Sequence, residues 1–533
     1  MDSKKILLLL IAPFAYFFLG SYIHQVTGLF SLRSADPEYI YFISGLSIAD
    51  GKFMLGHIDN PGTPLQVLAA LVFRGLYLFR VHQVPFNEDI LANADLYLRV
   101  LNLVLTGVVV VFMYYVGKIA YRITNSISYA FLLQLSPLFT NIIFGNIGRI
   151  TPENLIPIPV MFLSLLLLKL IYQPEEEEDS KKHGIWFGLI SAFGLSIKLT
   201  YFPIWIIPLI VIKTWRNKMW YSLTAIGSFF VMAFPVTLQI HIFWGWIKGL
   251  FLHSGQYGKG ESNILKWETI VPNFRYLWNE NTYFFCIILI LLAVLIILYF
   301  LRKDNSFTLL QRISLGILAA TAIQVAIVCK QFEFRYFIPA LMLLPLSVML
   351  IMEFVRPLNT MISQYKIPQV VIVLFVSIYF TNQLPVIHSL SEHLDQEQVQ
   401  KMPALHYMQT IEKDAIKFLV PGPYGCPTPE YALMCSYGWS GRQHEYFKPV
   451  LAKLFPDTYI YYPWDKTVNF WGREPSIKQT NKPVYIYLEN ENLKETFLAD
   501  TKALFPEKYE LTRTFFNEAT NESVYRLVKA VSE

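Results

Sequence analysis

Two carboxylates stand one residue apart in Asp36-Pro37-Glu38-Tyr39. A pair at that spacing can divide the work of proton transfer, one as base and one as orienting group. Asp before Pro also has a structural use, with Asp36 as the N-cap of a helix and Pro37 at its first position. The two uses are compatible, since a cap also fixes a carboxylate. Further on, Gly56-His57-Ile58-Asp59-Asn60-Pro61-Gly62-Thr63-Pro64 offers His57 and Asp59 as two metal ligands with no third nearby. No cofactor is called for, and a divalent cation has only that pair in its favour. The Pro-Gly turn stiffens the approach to Leu65 and sets His57 and Asp59 on the wall of a cleft.

The remaining groups with chemistry are mostly cationic. Gly145-Asn146-Ile147-Gly148-Arg149-Ile150-Thr151-Pro152-Glu153 carries Arg149 and Glu153, read either as a cation and a cleft carboxylate or as an interfacial Arg with a helix-starting Pro-Glu. Lys198 ends Gly194-Leu195-Ser196-Ile197-Lys198 on the side of the membrane where lysine is disfavoured, which points to an anion contact. His253-Ser254-Gly255-Gln256-Tyr257-Gly258-Lys259-Gly260 surrounds three glycines with His253, Tyr257 and Lys259 as donors, so that backbone N–H groups can approach an anion. It is no Walker motif. Lys330-Gln331-Phe332-Glu333-Phe334-Arg335-Tyr336 puts Arg335 in a short turn, either as an anion contact or paired with Glu333.

The elements that must hold these groups are membrane helices. Of 533 residues, 54% are hydrophobic and 16% charged, against roughly 25% charged in soluble domains, and the mean hydropathy is +0.40. Apolar runs of spanning length recur from Ile6 to about Pro385, which excludes a soluble enzyme, a fibrous protein and a disordered chain. Residues 389–533 hold 16 of the 44 Lys and Arg and 19 of the 39 Asp and Glu, a net −3 that leaves 1–388 at +8. The chain therefore divides into a membrane domain, 1–388, with a first outer loop at 24–97, and a globular domain, 389–533. Basic residues with interleaved aromatics are lacking, so nucleic acid is no partner.

Spans are expected at about 6–23, 98–117, 126–145, 155–172, 184–198, 202–213, 219–243, 283–301, 313–329, 336–355 and 367–387. The stretch Leu65–Phe79, interrupted by Arg74, reads as a juxtamembrane or re-entrant helix. Lys4-Lys5 and the loops 118–122, 181–183, 213–218, 302–312 and 356–366 are all basic. By the positive-inside rule they are cytoplasmic, as is the N-terminus, and the tail is outside. The acidic run Glu175–Asp179 is then a solvated inner turn. The two first-loop motifs, taken as one cluster, and the four clusters after them all fall on the outer face, where cations would neutralise a membrane-borne anion and a carboxylate would accept a proton from a hydroxyl. That combination suits transfer from a lipid phosphate.

The motifs Asp36-Pro37-Glu38-Tyr39, His57-x-Asp59-x-Pro61-Gly62-Thr63-Pro64, Arg149 to Glu153 and Gly-Leu-Ser-Ile-Lys198 resemble those of the GT-C superfamily of integral-membrane glycosyltransferases. The likeness is to its protein O-mannosyltransferase and aminoarabinose transferase branch. The resemblance covers most of 1–355. It implies a mainly α polytopic bundle of about 11–13 spans, a polyprenyl-phosphate sugar donor, and Asp36 as base on the extracytoplasmic face. Pro37 intervenes where many relatives have adjacent acidic residues, which weakens a second catalytic role for Glu38. Lys198 and Arg335 would contact the donor phosphate.

The tail alternates expected strands (415–420, 458–462, 484–488, 509–516, 523–529) with helices (445–454, 493–504), an α/β domain for acceptor binding or cleft covering. Its aromatics would stack on sugars or pack a core. Cys426 and Cys435 can form one disulfide if the domain is outside. The chain thus reads as a multi-pass enzyme of the bacterial inner membrane that builds cell-envelope glycan. It would move a sugar by inverting single displacement to a lipid, polysaccharide or protein acceptor. Asp36 and Glu38 are its catalytic candidates. Lys198, Arg149, Arg335, His253, Tyr257 and Lys259 would bind the phosphate, and His57, Asp59 and Glu153 would line the acceptor cleft. A transporter or flippase of a lipid-linked sugar would need the same cations, but no inverted repeat is evident. A non-catalytic scaffold fits the acidic first-loop motif poorly.

Overall fold

The computed structural model describes residues 7–33, 36–80, 84–173, 180–253, 266–301, 307–356, 367–422, 425–426, 428–463, 466–469, 481–505 and 509–529. The acidic run at 175–179 lies outside them. Chain contacts divide the protein into two compact units. One holds 1–22, 58–65 and 103–388; the other holds 23–57, 66–102 and 389–533.

Among the described residues of the chain, six helical segments are long and apolar enough to cross a membrane: Ala94–Thr124, Pro152–Tyr172, Thr282–Phe300, Leu309–Lys330, Phe334–Val355 and Val370–Thr410. Prolines shape the membrane unit. The expected span at 126–145 is broken into Ile127–Gln134, a 3₁₀ turn Ser136–Leu138 and Asn141–Ile147. Pro137 removes a donor, and Thr140 caps the next helix by accepting from the Ile142 N–H at 3.2 Å. Likewise 202–213 is a 3₁₀ segment, Leu199–Trp205, followed by Ile206–Val211, with Pro203 inside the first. The segment 219–243 breaks at Met232, ahead of Pro235. Among the described residues of the membrane unit, three helical segments thus open with a 3₁₀ turn, Pro152–Leu155, Leu199–Trp205 and Phe334–Phe337.

Small residues bring the helices together. Lys181–Ile197 packs along Trp215–Met232, and a Cβ at Gly188 would lie 2.8 Å from the Tyr221 carbonyl. Gly184 and Gly188 therefore allow the close backbone approach typical of membrane helix pairs.

In the other unit a six-stranded sheet has the order β3-β2-β1-β4-β6-β5. Its strands are β1 (Ile416–Val420), β2 (Thr458–Tyr462), β3 (Thr467–Asn469), β4 (Val484–Leu488), β5 (Tyr509–Asn517) and β6 (Glu522–Lys529). β1 is parallel to both β2 and β4; the other pairs are antiparallel. β4 is buried at every position, as suits a central strand covered on both faces. The expected strands and the helix His444–Leu454 are present, whereas β3 and the helix Pro429–Gly438 were not foreseen. The helix expected at 493–504 is Lys494–Thr501 flanked by 3₁₀ turns. Cys426 and Cys435 are free thiols rather than a disulfide.

The first loop packs on this sheet domain. Helix Glu38–Ala49 lies against Pro429–Gly438, Glu88 accepts from Lys453 at 2.7 Å, and Arg33 pairs with Glu397 at 3.7 Å. The closest seam joins two glycines. A Cβ on Gly56 would meet the Trp439 carbonyl at 2.3 Å, and one on Gly441 (φ +60°) would meet the Gly56 nitrogen at 2.7 Å. Only glycine fits both sides.

Candidate active site

Three 3₁₀ turns of the membrane unit, Pro152–Leu155, Leu199–Trp205 and Phe334–Phe337, each place one charged residue of the candidate set. Glu153 lies within Pro152–Leu155, Lys198 is the N-cap residue of Leu199–Trp205, and Arg335 lies within Phe334–Phe337. A 3₁₀ turn after an extended residue redirects the chain, so the side chain there need not follow the helix face. Gly194 makes the Lys198 corner possible. The Tyr201 ring stands 2.4 Å from where a Gly194 Cβ would be, and the Lys198 N–H donates to the Gly194 carbonyl at 3.1 Å.

These corners bring Glu153, Lys198 and Arg335 together. The Lys198 ammonium donates to Glu153 Oε1, and the two side chains are only 5% and 1% exposed. Arg335 Nε lies 3.4 Å from the same oxygen and 3.5 Å from Glu333 Oε1. The Lys198 ammonium also sits 4.8 Å from the centre of the Tyr336 ring, a cation–π distance. The trio, buried at Glu153 and Lys198 and partly exposed at Arg335, carries a net charge of +1. A desolvated charge pair is weak evidence of stabilisation, and such groups within a membrane protein mark function by default.

Supporting contacts hold the trio. Gln324, on Leu309–Lys330, donates to the Tyr336 carbonyl at 2.7 Å. Asn154 donates to the carbonyls of Asn146 and Arg149 at 2.8 Å each, tying the Arg149 loop to the Glu153 turn; the Arg149 side chain is half-buried. The Gly62 N–H donates to the Ile197 carbonyl at 3.1 Å, so the Pro61-Gly62 turn is anchored to the residue before Lys198. Asp59 is half-buried. His253 ends the helix Ile240–Leu252, and its carbonyl accepts from Gln331 at 3.4 Å while Lys330 donates to the Phe251 carbonyl at 2.6 Å. His253 is thereby joined to the turn that carries Arg335. Tyr257 and Lys259 lie outside the described residues.

The first loop holds the acidic pair apart. Helix Glu38–Ala49 has Pro37 as its N-cap, so Asp36 stands one residue ahead of the cap rather than at it. Asp36 is exposed and Glu38 is buried. Asp36 acts on the sheet domain electrostatically. Burial, with the Asp36 carboxylate adding to it, pushes the Cys435 thiol up. His57 is edge-on to Tyr41 at 5.3 Å and to Trp439 at 5.7 Å, and its carbonyl accepts from Gln66 at 3.1 Å. Its ring is thus held by aromatics. Among the described residues no three His, Cys, Asp or Glu side chains gather as a metal site.

Sequence reasoning missed Tyr336, Gln324, Cys435 and Trp439. Tyr336 adjoins Arg335 and was within reach of the motif. Gln324, a polar residue inside an apolar helix, was a readable signal. Nothing in the sequence marks Cys435 or Trp439 as neighbours of the first loop.

Neither a family model nor a curated protein sequence matches this chain. Among solved structures, that of ArnT from Cupriavidus metallidurans bound to undecaprenyl phosphate is similar over 99% of this chain and 98% of its own, with a TM-score of 0.51 and 10% identity. The helical bundle with its C-terminal sheet domain therefore has the fold of ArnT, the GT-C fold that the sequence motifs implied.

Proposed function

We propose that the protein is a membrane glycosyltransferase that takes a sugar from a polyprenyl-phosphate donor and passes it to an acceptor hydroxyl or amine on the extracytoplasmic face. The observation that carries this reading is the Glu153–Lys198–Arg335 trio, net positive, with Glu153 and Lys198 buried and Arg335 partly exposed, in a fold of which one solved structure has undecaprenyl phosphate bound. Cations in a water-poor setting stabilise a phosphate leaving group far better than they would in water. Lys198 and Arg335 hold that phosphate, with Arg149 and His253 as further contacts. Asp36, exposed at the start of a rigid helix on the first loop, takes the acceptor proton, while Glu38 supports that loop from within. His57 and Asp59 line the acceptor approach. The reaction is a single displacement with inversion.

The full chain, purified into nanodiscs, should be given lipid-linked sugars extracted from bacterial envelopes, and release of polyprenyl phosphate followed by mass spectrometry. Release that depends on an added envelope acceptor supports the reading. Movement of the intact lipid-linked sugar across the bilayer without release would favour a flippase.

A further inference from the structure

An acidic residue between two phosphate-binding cations needs a reason, because it competes with the phosphate. Glu153 is 1% exposed, Lys198 donates to its Oε1, and Arg335 Nε approaches the same atom at 3.4 Å. Glu333, 40% exposed, lies 3.5 Å from the same Arg335 nitrogen. If tight phosphate binding were the only requirement, a neutral residue at 153 would serve better. Resting on the donor proposed above, we infer that Glu153 is a positioning and charge-balancing residue whose carboxylate lets the spent lipid phosphate leave.

The charge change during transfer supplies the reason. The acceptor heteroatom forms a bond to the anomeric carbon, the bond from that carbon to the phosphate oxygen breaks, and the acceptor proton goes to the base. The donor is a phosphodiester with one negative charge. The lipid product is a phosphomonoester, whose second ionisation near pH 6 gives about −1.5 to −2 at pH 7. The same two cations therefore hold the product more strongly than the donor. A fixed carboxylate against both of them offsets that difference, since its repulsion grows with the charge on the phosphate. It also keeps Lys198 and Arg335 aimed at one point while the phosphate is absent.

The test uses the full chain in nanodiscs with two probes that need no sugar, undecaprenyl phosphate as monoester and its methyl phosphodiester, titrated at pH 8. Glu153→Gln should bind the monoester at least tenfold tighter than wild type and the diester by a clearly smaller factor. In turnover it should lower both KM for donor and kcat, as expected for slowed product release; a purely structural role would not lower KM. Glu333→Gln, a change at a 40% exposed side chain that should not impair folding, should shift the monoester-to-diester ratio in the same direction by a smaller factor. The inference is overturned if wild type binds both probes and neither variant shifts that ratio, or if Glu153→Gln folds and binds the monoester more weakly. Failure of wild type to bind either probe would instead overturn the donor reading itself.

Discussion

Lys198 and Glu153, 45 positions apart in the chain, form a buried ion pair at two 3₁₀ corners of the membrane unit. Removing one partner strands the other. Lys198→Ala should cost about 3–5 kcal/mol of stability, read as a drop in thermal midpoint in detergent. The double change Lys198→Met with Glu153→Gln should recover most of that stability but not donor use, and a double-mutant cycle checks both.

Arg335 is the better probe of donor contact, because its side chain is 24% exposed and Glu153 keeps Lys198 when it is gone. Arg335→Ala should raise KM for the lipid donor at least tenfold and leave KM for acceptor nearly unchanged, since a charge-assisted bond to phosphate is what is lost. Steady-state kinetics with each substrate varied in turn would decide it.

Asp36→Asn keeps the shape of the side chain but cannot take a proton at neutral pH. General-base removal costs on the order of 10²–10⁴ in rate. Membrane levels and donor binding should be normal and transfer nearly absent. Because Pro37, not Asp36, is the N-cap residue, no loss of helix stability is expected, and hydrogen exchange over 38–49 should match wild type.

The glycine seam between the first loop and the sheet domain gives a fourth expectation. Gly56→Ala would set a Cβ 2.3 Å from the Trp439 carbonyl, so the seam must open. Hydrogen exchange at 53–57 and 439–444 should speed up, and transfer should fall with donor binding retained, because the cationic trio belongs to the other unit.

A pH effect is expected in the sheet domain. Burial, and then the neighbouring Glu522, hold the Glu489 carboxyl above its ordinary value of 4.5. The folded form therefore binds the proton more tightly than the unfolded form. Its contribution to stability is fully present below 4.5 and is lost as pH rises through the raised value. Glu489→Gln should slow exchange in β1 and β4 at pH 8 relative to wild type and have little effect near pH 4.

Much of this was legible in the sequence. The strands of the tail follow from alternating and continuous apolar runs bounded by turn residues, and the membrane helices from apolar length. Lys198 stood out because a lysine there opposed the charge bias of the loops. The proline breaks were visible as residues but not as geometry, since a proline near a helix end either starts a helix or interrupts it, and packing decides which. Glu153 joining Lys198 and Arg335 was hidden because each contact spans a long sequence separation. The first loop sharing a unit with 389–533 was hidden for the same reason, as its seam is built from backbone atoms at Gly56 and Gly441.

The basic loops give the expectation that the tail lies outside. A reporter fused after Glu533 should be active only in its extracytoplasmic form, and activity of a cytoplasm-only reporter would move the proposed active face with it.

The central claim is that the cations of the membrane unit hold a polyprenyl phosphate. Native mass spectrometry of the full chain released from nanodiscs containing undecaprenyl phosphate tests it most directly, comparing wild type with Arg335→Gln. One lipid bound to wild type, with occupancy at least tenfold lower in the variant at equal lipid, is the expected result. No binding to wild type, or equal occupancy in both proteins, would contradict it.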